Sequence, residues 1–90
     1  MRDRSFKLRG RLWTLMFTPL GGPWGLCDHQ RRRLTVERDA SDQMKLDSII
    51  HECAHAYFPY LVESEIEGFG TTVADLLWKI GFRYQRESEK

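Results

Sequence analysis

The chain has 90 residues, a net charge of +1, 41% hydrophobic and 30% charged residues, a composition that suits a soluble domain with room for one core. No run approaches the roughly 20 consecutive apolar residues of a membrane span, and two cysteines, Cys27 and Cys53, exclude a disulfide scaffold. Charge is unevenly placed: residues 1–38 carry nine Lys/Arg against three Asp/Glu, and residues 39–90 carry five against ten.

The first five residues lack the apolar block and cleavage site of a signal peptide, which predicts a cytoplasmic protein. From Ser5 to Phe17 the pattern has period two, which predicts one strand with a bulge or bend at Gly10. Pro19-Leu20-Gly21-Gly22-Pro23 is turn chemistry. Trp24 to Asp28 reads as a second short strand and Arg33 to Glu37 as a third. Together they predict an antiparallel meander over 1–38, with Trp13, Trp24 and Trp78 in the core and the two cysteines packed as small apolar side chains.

Past Asp39 the period changes. Ser41 is a candidate N-cap, and Met44, Leu46, Ile49, Ile50, Cys53, Ala54, Tyr57 and Phe58 recur at helical spacing until Pro59. Ser64 with Glu67 matches a capping box and opens a second helix, which Gly81 stops. The expected fold is a single α+β domain over 1–90, a three-stranded antiparallel sheet packed on a helical hairpin over 41–81, with a frayed charged tail over 84–90.

His51-Glu52-Cys53-Ala54-His55 is an H-E-x-x-H sequence inside the first helix. Residues four apart share a helix face, so both imidazoles reach one ion, and zinc suits this nitrogen ligation. Glu52, turned about 100° from His51, leans towards a water on the metal and can take its proton. The bland reading is two helix histidines with ordinary surface or core roles. For the third ligand, a hairpin turning near Leu61 sets Glu67 level with His55, beside the small residues Gly70, Thr71 and Ala74. Glu63 is the next candidate, and the capping box with Ser64 is the alternative role for Glu67.

The run from Ile49 to Leu61, followed by Glu65 to Phe82, resembles very small zincins of the gluzincin or SprT-like sort, over about Gly25 to Phe82. The resemblance implies a three-stranded sheet, an active-site helix, a His51-His55-Glu67 zinc site with Glu52 as base, and peptide substrates laid along the sheet edge. The expected function is thus a zinc metallopeptidase acting on a peptide or protein.

Two other readings stand beside it. Arg2, Arg4, Lys7, Arg9, Arg11, Arg31, Arg32 and Arg33 could form a phosphate-binding face, as in a nucleic-acid-associated SprT-like protein, or simply a solvated sheet face. Alternatively the zinc is structural, although such a site has no use for Glu52. Cys27-Asp28-His29 hints at a second metal site or, through Asp28, a carboxylate that orients an imidazole; a turn-stabilising Asp28 is the plainer role. Tyr57 or Tyr60 would donate to an oxyanion or pack as buried aromatics, and Asp47 is a solvated charge.

Overall fold

A computed structural model describes residues 3–84. The expected long first strand is two strands, β1 (Arg4–Leu8) and β2 (Arg11–Thr18), joined by a two-residue turn. Arg9 and Gly10 both take positive φ, 50° and 77°, as the hairpin turn whose twist matches its flanking strands requires. The turn resets the alternation. Phe6 pairs with Trp13, so Phe6, Leu8, Trp13 and Leu15 share the core, whereas one continuous strand would have set Trp13 opposite Phe6 and Leu8.

β3 (Gly25–Asp28) and β4 (Arg33–Glu37) form a second hairpin, and the sheet order is β1-β2-β4-β3. The expected three-stranded antiparallel meander is therefore corrected to four strands with mixed pairing, because β2 runs parallel to β4. Burial explains the order. Leu34 and Val36 are 1% and 0% exposed, and a strand carrying two such side chains belongs in the middle of a sheet. The Pro- and Gly-containing connection after Thr18 carries the chain past that position, so the short β3 takes the edge.

α1 (Asp42–Tyr57) starts at Ser41, whose Oγ accepts from the Met44 amide at 3.2 Å. α2 (Glu63–Lys79) starts at Val62 without any side-chain cap, so the expected Ser64–Glu67 capping box does not form. Its C-terminal stop is as expected: Gly81 at φ 103° directs its own amide to the Trp78 carbonyl and that of Phe82 to Leu77, a Schellman closure. The expected tail over 84–90 lies, past Tyr84, outside the described residues. Among those described, no helix is long and apolar enough to cross a membrane.

α1 covers one face of the sheet, resting on β3 and β4, and α2 packs on α1. Ala56 joins the cluster of Leu8, Trp13 and Leu34, with Cys27 and Cys53 packed against it, as small apolar side chains would be. Ile66, Gly70 and Ala74 form the buried seam of α2. At Gly70 the two helices come close: a Cβ there would stand 3.4 Å from the His51 Cα, an ordinary contact with no room for a longer side chain. Trp24 is 53% exposed and Trp78 half-buried, so Trp13 alone of the three tryptophans is a core residue. The fully buried row of α1 is largely polar: Lys45, Ser48 and Glu52 are 4%, 5% and 8% exposed. Buried polar groups carry a desolvation cost that an ordinary core avoids, so this row marks where packing has given way to another demand.

Candidate metal centre

His51 and His55 stand one turn apart on α1 and face the start of α2. Their Nε2 atoms are 3.2 Å apart, and Glu63 Oε1 lies 3.1 Å from the first and 2.8 Å from the second. Three donors held by bonds of about 2.0–2.1 Å in tetrahedral geometry would sit about 3.3 Å from one another. The three atoms therefore already approximate one face of a zinc tetrahedron. Among the described residues this is a His-His-Glu group that could hold a metal ion.

The third member is Glu63 rather than the expected Glu67. The contact between Gly70 and His51 puts the middle of the hairpin near Tyr60 and Leu61, close to where the sequence suggested. Height along the axis alone would favour Glu67, within about one residue of level with His55, over Glu63, about three residues away, and direction overrides it. With Ile66 as zero and about 100° per residue, the seam of Ile66, Gly70 and Ala74 centres near 40°. Glu63 lies about 20° from that line and Glu67 about 60°. Glu67 instead lines the adjoining cleft, of about 430 Å³, with Trp24, Gly25, His51 and Glu52. Glu63 also sits in the first turn of α2, where a carboxylate is favoured by the helix dipole. A hydrogen bond from His55 and the nearby imidazoles hold its carboxyl below the usual range.

Glu52 points from the same helix to the sheet. Its Cγ and Oε2 lie 2.9 Å from where a Cβ on Gly25 would be, so only glycine at this edge-strand position leaves room for the carboxylate. Sequence reasoning missed Gly25; the one available signal was a glycine opening a strand, which suggests close approach by another group. Burial pushes the Glu52 carboxyl up, His51 and His55 pull it down, and Glu63 pushes it up again. That environment suits a group which must take and return a proton.

No family model, curated protein or solved structure matches this chain.

The role of His29, left open by the sequence, is set by the fold. Its Nε2 donates to the His55 carbonyl at 3.2 Å, one of the last carbonyls of α1, which no helical amide reaches. Its Nδ1 faces Cys27 Sγ at 3.8 Å, and its ring meets Trp13 edge-on at 5.9 Å. Burial first, then Glu52, pushes the Cys27 thiol up to about 11, so it stays protonated and can donate to that nitrogen. The Cys27–His29 pair thus ties the turn after β3 to the helix that carries His51 and His55.

The remaining candidates have other duties. Asp28 accepts from the Arg31 amide and guanidinium, the turn-stabilising role. Arg9 donates to the Tyr57 carbonyl at 3.2 Å and lies over that ring, so Arg9 and Arg31 are both engaged within the fold. Tyr57 and Tyr60 are 42% and 71% exposed, beside Phe58 in the helix connection, rather than buried. Asp47 lines the cleft next to His51.

Proposed function

We propose that this protein is a zinc-dependent hydrolase of peptides, with His51, His55 and Glu63 holding the ion and Glu52 acting as general base. The observation that carries the reading is the near-tetrahedral face of three donor atoms beside a buried carboxylate that belongs to neither the core nor the ligand set. The donors are those that zinc favours in catalytic sites, where three protein ligands leave one position open.

Zinc bound there supplies a Lewis acid that acidifies water and polarises a carbonyl. The chain's own residues do the rest. Glu52, confined by Gly25, takes the proton of the attacking water and returns it to the departing amine. β3, at the sheet edge with Gly25 in the cleft wall, offers unpaired backbone groups along which an extended peptide can pair. A structural zinc is the weaker reading, because such a site usually has four protein ligands where the described residues bring together three, and Glu52 would be buried to no purpose.

The test is metal analysis of purified protein beside Glu52→Gln, with cleavage of unfolded casein followed in both. One zinc per chain in each, with cleavage in the unaltered protein alone, is the expected result. Zinc in both with equal cleavage, or none in either, would overturn the proposal.

A further inference from the structure

Beyond the metal centre, the polar row of α1 contains a second group that the proposed reaction does not use. Lys45 is 4% exposed and lines a cavity of about 160 Å³ between the first half of α1 and the C-terminal end of α2. The walls are largely apolar, with Leu46 and Ile49 from α1, Leu77 and Trp78 from α2, and Phe82 beyond it, while Asp42, one turn before Lys45, and Tyr84 add polar groups to the lining. Arg83 folds over the far side, stacked 3.6 Å from the Trp78 ring, with its Nη1 donating to the Trp78 and Phe82 carbonyls.

Among the described residues no carboxylate forms an ion pair with Lys45. Its ammonium has the Tyr84 ring at 5.9 Å from the centroid, near the outer limit at which a ring face attracts a cation. A buried ammonium is costly unless an anion and hydrogen-bond acceptors meet it. A lysine with no further duty would send its flexible stem out to water. An apolar cavity of about 150 Å³ accommodates a benzene ring, so the space, the walls and the charge together define an occupant.

We propose that this cavity binds a small amphipathic carboxylate, with a single ring or short branched chain against Leu46, Ile49, Leu77 and Trp78 and the carboxylate on Lys45. The site lies apart from His51 and His55 and stands whether or not the chain is a peptidase.

The experiment titrates phenylacetate into metal-free full-length protein and follows backbone amide NMR shifts. 2-Phenylethanol and phenethylamine serve as neutral and cationic controls. Saturable shifts confined to residues 42–49 and 77–84, with both controls at least tenfold weaker, are expected. Lys45→Met, which keeps the stem's bulk, should weaken phenylacetate at least tenfold while the remaining spectrum is unchanged. Equal binding of the alcohol, shifts centred on His51 and His55, or undiminished affinity in Lys45→Met would overturn the site. So would a tenfold gain in affinity on replacing Glu87 and Glu89 by Gln, since the chain's own carboxylates would then be the occupant.

Discussion

At the residue scale the site depends on two side chains that do different work and on one that is missing. Glu63 completes the donor triangle, whereas Glu67 lies in the cleft beside it. Glu63→Gln is therefore expected to weaken zinc retention by more than tenfold in competition with a chromogenic chelator, and Glu67→Gln by less than threefold. The reverse order would return the ligand role to Glu67. At Gly25 the missing side chain is what matters. In Gly25→Ala a methyl group would stand 2.9 Å from Glu52, so the carboxylate must swing away while the imidazoles stay where they are. Zinc affinity should be nearly unchanged and turnover should fall, on the order of the hundredfold or more ascribed to general-base catalysis. Parallel loss of both would mean that Gly25 supports the fold rather than the base.

Among the elements, α2 does most of its work through closeness. Its seam of Ile66, Gly70 and Ala74 lets the helix approach α1 near enough for Glu63 to reach both imidazoles. Gly70→Leu forces that seam apart and should cost about 1–3 kcal/mol in denaturant unfolding, as overpacking does, together with weaker zinc binding. Gly70→Ala meets only the 3.4 Å contact with the His51 Cα and gains up to about 1 kcal/mol of helix propensity, so it should be close to neutral. A leucine variant with unaltered zinc affinity would show that the distance between the helices does not set the site. α1 is held from the opposite side: its last carbonyls receive Arg9 from the β1–β2 turn and His29 from the β3–β4 turn. Both hairpins of the sheet thus close onto the end of the helix that carries His55.

For the whole molecule, 90 residues with a small buried core leave little stability to spare. The two helices share the His51, His55 and Glu63 cluster, so an ion there ties the hairpin as well as serving chemistry. Zinc held by that cluster would bind the folded state preferentially and, at about a hundred times its dissociation constant, would add about 2.7 kcal/mol. Chelation should therefore lower the melting temperature by several degrees, and His55→Ala should abolish that response. An unaltered melting curve after verified removal of zinc would place the ion away from the joint between the helices.

The sequence alone determined the helices, their stops, and the pairing of His51 and His55 on one helix face. Helical spacing is local: His51 and His55 share a face wherever the helix packs, Ser41 caps whatever follows it, and Gly81 ends a helix by its own backbone freedom. It also located the middle of the hairpin to within about a residue. What it left undecided depends on partners distant in the chain. An arginine before Gly10 is a weak hairpin signal, so one strand stood where two exist, and the alternation was read through a turn that reverses it. The pairing of β2 with β4 was settled by which strand carries the most deeply buried side chains, a property that exists only after the helices have packed. The choice of Glu63 over Glu67 turned on the direction of the α2 seam, and the space for Glu52 on a glycine 27 positions earlier. Such contacts are fixed by the approach of surfaces, which no periodicity within one segment encodes.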